Sequence, residues 1–350
     1  MAQNFTSLHA ILNHGFDTVI DVRSPAEFAE DHIPGAINLP ALDNAQRAEI
    51  GTIYKQVSAF DARKKGAGMV VRNVADHVDG PLRDKDGSWR PLVYCWRGGQ
   101  RSGVFTTLLS EIGWRAEKVQ GGYTSFRRLV KTALYDDPLP HRFVLLDGYT
   151  GTAKTEILPR LAARGVQVID LEGLAQHRGS LLGEMPGGQP AQKAFETALA
   201  AVLHGLDPSR PVIVEAESSK IGRIILPSGV WANMLAAPRI MLQAPLQARA
   251  RYLARAYRDV IIDPAVVAAK LDPLRRVRGH AVVDRWIDLS RQGALVDLSH
   301  ALMVDHYDPS YSKSRRIDAR DVLADISVQT LDDSGQEYAA DAIAAALSRL

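Results

Sequence analysis

The residues with the clearest chemical potential in this sequence surround its single cysteine, Cys95. The apolar run 91–94 precedes it, and the loop that follows contains Arg97, Gly98, Gly99 and Arg101. Glycines allow successive backbone N–H groups to curl around an anion, and guanidinium groups favour the thiolate over the thiol. The pattern predicts a sulfur nucleophile in an anion-binding loop. The alternative is a small buried hydrophobic residue, which the neighbouring arginines disfavour.

A second loop, 148–155, is similar to the phosphate loop G-x-x-x-x-G-K-[ST] and departs from it only at Ala153, which replaces the second glycine. Backbone N–H groups and the N-terminus of the following helix would hold phosphate oxygens, and Lys154 would add a point charge. The departure disfavours ordinary nucleotide hydrolysis, and a chance match remains the alternative. The candidate phosphate- or diphosphate-binding residues are Gly148, Thr150, Gly151, Thr152, Ala153, Lys154 and Thr155.

Polar residues that would support this second loop follow two other apolar strands. Glu215 and Glu217 end the strand that begins at residue 211, where phosphate-loop proteins hold magnesium. Mg²⁺ is therefore expected at Thr155 and Glu215, unless the carboxylates merely end a strand at the surface. A polar cluster is expected to line the same cleft, although a lone histidine is more often structural; its members are His177, Arg178 and Ser180.

The segment that begins at Leu246 is locally basic. On a helix, Leu246, Ala250, Leu253 and Tyr257 would form an apolar stripe with arginines on the opposite face. Such a face is either solvated or a contact surface for the phosphates of a folded nucleic acid. The candidate nucleic-acid-binding residues are Arg251, Arg255, Arg258, Arg275, Arg276 and Arg278.

The elements that must position these loops alternate between strands and helices. Strand 16–23 leads through Ser24, Pro25 and Glu27, a capping box, into a helix. A helix over 103–112 follows the cysteine loop and ends at Gly113. This alternation predicts an α/β fold with largely parallel sheets, in which active sites lie at the carboxyl ends of strands.

Composition places the chain among ordinary globular proteins. Its 350 residues predict two to three domains, and 46% of them are hydrophobic. One cysteine excludes an internal disulfide, and no apolar run approaches the length of a membrane span, so we expect a cytoplasmic protein without membrane contact. The net charge of +2 does not by itself indicate a nucleic-acid partner.

Two families share these motifs. The segment 21–28 with 32–38 resembles the opening signature of a rhodanese domain, 94–102 its cysteine loop, and 121–123 its closing turn. A rhodanese domain ahead of a degenerate phosphate loop is similar to the tRNA 2-selenouridine synthase family, as are the tracts 170–180 and 215–222. The departures are Ala153 and the tract 216–220, where that family would have a more acidic, arginine-containing run.

The resemblance implies a fold of several parts. A rhodanese-like parallel-sheet domain would occupy residues 5–133, and a linker 134–140. A P-loop NTPase-like α/β domain would occupy 141–305, followed by a helical C-terminal extension over 306–350.

The resemblance also implies a transferase. Selenium from selenophosphate would replace the sulfur of 2-thiouridine at the wobble position of tRNA, with S-geranylation from geranyl diphosphate as the activating step. Cys95 would accept selenium, and Asp21 and Arg23 would brace its loop. Lys154 would grip the diphosphate, and the arginines would dock the anticodon arm. Beyond Mg²⁺, no tightly bound cofactor is expected.

Other functions stay open at this stage. Cys95 and Arg101 have the spacing of cysteine-dependent phosphatases, although a phosphatase leaves the second domain unexplained. A generic sulfurtransferase acting on thiosulfate would use the same cysteine loop. A non-catalytic tRNA-binding protein with a nucleotide switch would not need Cys95.

Overall fold

The computed structural model describes residues 1–315 and 321–349, and these form two compact units. The first comprises Met1–Pro138 with Ala191–Gly205, and the second comprises Leu139–Pro190 with the described residues from Leu206 onward. The change of unit after Pro138 falls inside the segment 134–140. Of the C-terminal segment 306–350, residues 316–320 and 350 lie outside the described residues.

The first unit contains a parallel sheet of five strands in the order β1-β5-β4-β2-β3. The strands are β1 (Ala2–Gln3), β2 (Thr18–Asp21), β3 (Ile37–Asn38), β4 (Pro91–Tyr94) and β5 (Glu117–Val119). The helices are α1 (Leu8–Leu12), α2 (Pro25–Glu30), α3 (Asn44–Gln56), α4 (Ala59–Asp79), α5 (Gln100–Ile112), α6 (Gly122–Lys131) and α9 (Gln192–His204), with a π-helical turn at Thr132–Asp136.

Local signals explain the ends of these helices. The carboxylate of Glu27 accepts a hydrogen bond from the backbone N–H of Ser24, which begins α2 as a capping box, as predicted. Gly113 ends α5 in the left-handed conformation at φ 110°. Burial of Phe105 and Leu109 against Val93 packs α5 on the sheet, so the loop between β4 and α5 is fixed at both ends.

The second unit also contains a five-stranded parallel sheet, in the order β12-β11-β6-β8-β7. The strands are β6 (Arg142–Gly148), β7 (Gln167–Ile169), β8 (Pro211–Glu215), β11 (Arg239–Gln243) and β12 (Val322–Ser327), and a separate hairpin pairs β9 (Lys220–Ile221) with β10 (Ile224–Ile225). The sequence analysis did not predict β12, which adds an edge strand from the C-terminal segment.

Eleven further helices belong to the second unit. They are α7 (Lys154–Ala163), α8 (Leu171–Ala175), α10 (Ser228–Ala236), α11 (Leu246–Ala256), α12 (Arg258–Ile261), α13 (Pro264–Leu271), α14 (Arg275–Arg278), α15 (His280–Arg291), α16 (Leu295–Leu302), α17 (Asp308–Arg315) and α18 (Asp333–Leu347). A 3₁₀ turn at Asp272–Leu274 and a π-helical turn at Met303–Tyr307 complete the set. None of the described helices is long and apolar enough to cross a membrane.

The two sheets are alike in where they place the candidate loops. In each unit the middle strand of five, β4 or β6, runs directly into the loop that the sequence analysis selected. In each sheet, the connection that leaves the middle strand and the one that leaves a neighbouring strand, β2 in the first unit or β8 in the second, run in opposite directions along the sheet. Such a switch point at the carboxyl ends of parallel strands is where α/β folds bind ligands.

Candidate active sites

The cysteine loop of the first unit begins at Cys95, which follows β4 directly. The side chain is only 3% exposed, and its Sγ lies 3.2 Å from the Oγ of Ser102. The Ser102 hydroxyl also donates to the carbonyl of Gly99, within the same loop. Ser102 is thus the polar group in hydrogen-bond contact with the sulfur, a partner that the sequence analysis did not select.

The loop is held against the start of α6 through its backbone. The N–H of Tyr123 donates to the carbonyl of Cys95 at 2.8 Å, and that of Thr124 donates to the carbonyl of Trp96 at 3.0 Å. Because a trans peptide places its N–H opposite its carbonyl, the N–H groups of Trp96 and Arg97 point away from α6. Those two donors are therefore not used in holding the loop on α6.

Two glycines make this contact sterically allowed. A Cβ on Gly122 would lie 2.3 Å from the carbonyl oxygen of Cys95 and 2.5 Å from the nitrogen of Gly98. A Cβ on Gly98 would lie 2.8 Å from the carbonyl oxygen of Val119. Both glycines have positive φ, +57° and +65° respectively. Gly98 is therefore required for backbone packing, whereas Gly99 is exposed.

Asp21 and Arg23 lie beneath the loop as a buried ion pair with 2.6 Å between charged atoms. The guanidinium carbon of Arg23 is 3.9 Å from the ring centroid of Tyr123 and 5.8 Å from that of Trp96. Burial is the largest influence on Arg23 and opposes its charge, but the hydrogen bond and the charge of Asp21, together with the nearby tyrosines, outweigh burial and raise the guanidinium pKa. These contacts join the end of β2 to residues that flank Cys95.

The two arginines of the loop differ in their environment. Arg97 is exposed, whereas Arg101 pairs with Glu27 at 2.8 Å. Burial would raise the pKa of Glu27, but its hydrogen bond with Arg101 holds that pKa below its usual value. Glu27 thus caps α2 and also compensates the charge of Arg101, a second contact that sequence spacing did not reveal.

A buried polar network lies next to α6 and includes a residue from α9. The carboxylate of Asp31 accepts hydrogen bonds from the hydroxyls of Tyr123 (2.7 Å) and Thr197 (3.0 Å). Burial raises the pKa of Asp31 despite these bonds. From the same helix, the Lys193 amine lies 6.0 Å from the ring centroid of Trp96. No local signal in the sequence places α9 here.

The phosphate-like loop of the second unit forms one wall of a cleft of about 380 Å³. Lys154 is half-buried, and its Nζ donates to the carbonyl of Gly148 at 3.2 Å. Burial disfavours the charge of Lys154, but the influence of Tyr311 and of three nearby glutamates outweighs it, so the lysine pKa lies above its usual value. The remaining walls include Tyr252, Tyr257, Tyr307 and Tyr311.

Ala153 takes up the backbone conformation of the glycine that it replaces. Its φ and ψ are 59° and 26°, in the left-handed region that costs an L-residue about 1–2 kcal/mol. Its methyl group packs with the hydrophobic core of the unit and is only 3% exposed. The loop therefore accommodates Ala153 in a left-handed backbone conformation, and the departure from the motif appears as local backbone strain.

A cluster of carboxylates lies beside the start of α7. The Thr155 hydroxyl is 2.8 Å from Glu172 Oε2 and 2.7 Å from Glu215 Oε1. Burial and mutual repulsion raise the pKa of Glu172 and of Glu215 to about 8, and burial raises that of Glu217 to about 7. A single hydroxyl proton cannot serve both carboxylates, so one of these groups carries a proton in this arrangement.

These oxygen donors suit Mg²⁺, which binds through one or two carboxylates together with phosphates. In the described parts of the chain, no three His, Cys, Asp or Glu side chains converge as a complete metal site. Thr155 and Glu215 are in contact, as a phosphate-loop magnesium site needs, and Glu172 joins them. The sequence analysis did not select Glu172.

The predicted supporting residues separate into two groups. Arg178, which pairs with Asp259 at 2.9 Å, lines the cleft, as do Ser180 and Glu217. Glu215 is fully buried behind the lining. His177 is 7% exposed and does not line the cleft, and burial lowers its pKa. Its Nδ1 has no hydrogen-bond partner among the described residues. The structure therefore places His177 outside the residues that line the cleft.

The predicted nucleic-acid-binding arginines also differ in environment. The predicted apolar stripe of α11 is confirmed, since Ala250 and Leu253 are buried with Leu246 and Tyr257 packed beside them. Four arginines are exposed: Arg251, Arg255, Arg258 and Arg276. Three of the six have partners within the unit: the exposed Arg255 with Glu156, Arg275 with Asp272 and Asp284, and Arg278 with His306 and Ser310.

Comparison with known proteins gives consistent matches over both units. A family model described as a rhodanese-like domain matches residues 4–129, and one described as the tRNA 2-selenouridine synthase AAA domain matches residues 141–271. The tRNA 2-selenouridine synthase of Chromohalobacter salexigens is 32% identical over 84% of this chain and 86% of its own. That of Hahella chejuensis is 35% identical over 78% of this chain and 70% of its own.

The solved structures that match cover 36–37% of this chain. A rhodanese-related protein from Thermoplasma volcanium shares 20% identity over 36% of this chain and 90% of its own, with a TM-score of 0.24.

Proposed function

The chain belongs to the tRNA 2-selenouridine synthase family, and from this we propose that it exchanges sulfur for selenium on wobble 2-thiouridine by a two-step route. As a member of that family it is a transferase that modifies tRNA. The proposed details are the donors: geranyl diphosphate activates the sulfur, and selenophosphate supplies selenium. They rest on one observation, that the middle strand of each sheet runs into a separate loop of glycines and cationic side chains.

The first proposed step uses the cleft of the second unit. The sulfur of 2-thiouridine attacks C1 of geranyl diphosphate, the C1–O bond breaks, and its electron pair leaves with diphosphate, while the N3 proton of the base passes to water. The ammonium of Lys154, which lines the cleft, and the N–H groups at the start of α7 stabilise the charge that develops on the leaving group. Mg²⁺ held by Thr155 and Glu215 would neutralise part of that charge.

The second proposed step uses the loop around Cys95. Selenium attacks C2 of the pyrimidine ring, the C2–S bond breaks, and geranylthiolate leaves with the electron pair. Selenophosphate holds selenium at the oxidation level of selenide, and its phosphoryl group passes to water. The exchange of sulfur for selenium therefore needs no oxidant or reductant. Cys95 contacts the donor in its loop; a perselenide on Cys95 would need a donor two electrons more oxidised.

Mass spectrometry of nucleosides from tRNA that carries 2-thiouridine tests this division of labour. With both donors, we expect wild-type protein to yield 2-selenouridine, and Lys154→Met to yield no geranylated nucleoside. Cys95→Ala should accumulate S-geranyl-2-thiouridine. Arg83→Met, an exposed control in the first unit, should behave as wild type. The proposal fails if wild-type protein changes no nucleoside mass under any condition.

The phosphatase alternative is weakened by one contact. In a cysteine-dependent phosphatase, the arginine of the loop must neutralise the bound phosphoryl group, whereas the charge of Arg101 is already compensated by Glu27. Turnover of p-nitrophenyl phosphate without tRNA would favour the phosphatase. Thiosulfate-to-cyanide transfer without tRNA would favour a generic sulfurtransferase.

A further inference from the structure

A cavity of about 230 Å³ in the first unit plays no part in the steps proposed above. It lies between α3, α4 and the start of α5. Gln100 and Arg101, with which the cysteine loop enters α5, line it. Its apolar wall belongs to the hydrophobic cluster that contains Cys95 and comprises Leu42, Ile50, Val70 and Val104. A ligand in this cavity would therefore lie beside the cysteine loop.

The mouth of the cavity is formed by the tip of the α3–α4 hairpin, residues 54–65. Tyr54, which is 60% exposed, and the exposed Arg63 both line the cavity. Val57 and Phe60, on the same tip, are exposed as well. Three large apolar side chains left in solvent beside a cavity add nothing to the packing of the hairpin. A group of this kind marks a binding surface.

The hairpin tip is also basic. Residues 54–65 contain four cationic side chains and a single carboxylate. Lys65 pairs with Glu49, whereas the exposed cations are Lys55, Arg63 and Lys64. Cations interleaved with exposed aromatic rings bind unpaired nucleotides, because the cations contact the phosphates and the bases stack on the rings. The tip therefore favours a single-stranded nucleic acid as its ligand.

The size and the lining of the cavity suit one nucleobase. A cavity of about 150 Å³ with aliphatic walls holds benzene, so 230 Å³ leaves room for a base with its exocyclic groups. Gln100 adds an amide, which can both donate and accept hydrogen bonds, as the edge of a base requires. A hydrocarbon chain would fit the apolar wall but would leave the amide and the cations of the tip unused.

We propose that this cavity receives one unpaired base of the tRNA anticodon loop, a neighbour of the wobble nucleotide that reacts at the cysteine loop. Tyr54 stacks on that base at the mouth, Gln100 contacts its edge, and Arg63 and Lys64 hold the flanking phosphates. The inference rests on the proposed exchange reaction and adds an RNA contact in the first unit. The arginines that the sequence analysis selected for this purpose all belong to the second.

Binding of anticodon stem-loop RNAs that carry 2-thiouridine, measured by fluorescence anisotropy on the intact protein, tests this assignment. Abasic sites replace the unpaired nucleotides other than the wobble one, one at a time. We expect one abasic site to weaken binding to wild-type protein by about 5- to 150-fold, the effect of one stacked base. In Tyr54→Ala the same abasic site should cost at least about fivefold less, because the stacking partner is already missing.

Three further variants sharpen the test. Tyr338→Ala is the matched control and should bind every RNA as wild type does, because Tyr338 is 61% exposed but does not line the cavity. Ala67→Leu enlarges a residue that lines the cavity while keeping a strong helix former, so it should weaken binding of the intact RNA but not of the coupled abasic RNA. Arg63→Gln should reduce the magnitude of the slope of log affinity against log salt concentration by about 0.7, the value of one single-strand phosphate contact.

The outcomes separate the two proposals. If no abasic site is coupled to Tyr54→Ala, or if Tyr338→Ala has the same effect as Tyr54→Ala, the base site is wrong. It is also wrong if Tyr54→Ala and Ala67→Leu weaken only RNA that carries S-geranyl-2-thiouridine, since the cavity would then hold a hydrocarbon. Because these titrations require no turnover, coupling in a wild-type protein that transfers no selenium would support the base site and contradict the proposed exchange reaction.

Discussion

Replacing Gly122 by alanine should disturb the cysteine loop more than its backbone angle alone would. An L-residue at positive φ costs about 1–2 kcal/mol, of which the reduced entropy of the unfolded chain returns about 0.4–1 kcal/mol. The added Cβ would also lie 2.3 Å from the Cys95 carbonyl oxygen and 2.5 Å from the nitrogen of Gly98. Both are backbone atoms, so the loop itself must move.

Gly35 provides the control for the backbone angle. Its φ is +77°, and a Cβ there would meet none of the described atoms within 4 Å. Gly35→Ala therefore carries the angular cost alone, about 1 kcal/mol or less. Gly122→Ala adds overpacking of about 1–3 kcal/mol, which corresponds to a 5- to 150-fold difference in local opening.

Hydrogen exchange of the intact protein, followed by mass spectrometry on peptides spanning 91–102, measures that opening. We expect faster exchange in Gly122→Ala than in Gly35→Ala, together with slower selenium transfer, because the bond from Tyr123 to Cys95 is broken. Equal exchange in the two variants would show that the loop accommodates a Cβ, and the steric reasoning would be refuted.

Three further outcomes are expected. In the folded protein Glu172, Glu215 and Glu217 keep their protons up to pKa values of about 8, 8 and 7, whereas the unfolded chain releases them near pH 4.5. The melting temperature of the Mg²⁺-free protein should therefore fall as the pH rises from 5 to 8.5, and added Mg²⁺ should raise the melting temperature more at pH 8.5 than at pH 6. Calorimetry that shows no such trend would contradict the carboxylate cluster. Fluorescence anisotropy titrations with tRNA give the slope of log affinity against log salt concentration. Changing Arg251, Arg258 and Arg276 together to glutamine should reduce the magnitude of that slope by about 2–3, at about 0.7–0.9 per lost phosphate contact, whereas Arg275→Gln should leave the slope unchanged. Ala153→Gly should change the free energy of unfolding, measured in urea, by less than about 1 kcal/mol. Relief of about 1–2 kcal/mol of backbone strain is offset by the loss of a buried methyl group and by a more flexible unfolded chain. A rise in the free energy of unfolding of more than about 2 kcal/mol would mean that the methyl group packs poorly.

Features set by neighbouring residues were predictable from the sequence. The capping box at Ser24, the stop at Gly113 and the strand before Cys95 are local patterns, and the structure contains all three. The phosphate-like loop could be recognised from the sequence because its motif is a short run of consecutive residues that does not depend on distant parts of the chain.

Features that depend on distant pairs were not predictable. Glu27 and Arg101 are 74 residues apart, and Asp31 and Thr197 are 166 apart, so nothing in either neighbourhood indicates the partner. The position of His177 was not predictable for another reason. Its polar neighbours in the sequence suggested that it lines the cleft, whereas its ring is buried. The strand β12 was missed because a short edge strand beside alanine-rich sequence carries little periodic signal.

The packing of α9 with the first unit has a consequence for synthesis. The residues that complete the network around Asp31 are translated only after the first part of the second unit, residues 139–190, has been made. At about 5–20 residues per second, the nascent first unit would wait several seconds with Asp31 lacking its α9 partner Thr197. A fragment ending near residue 138 would preserve that unfinished state permanently, so an isolated N-terminal half is expected to aggregate where the whole chain does not.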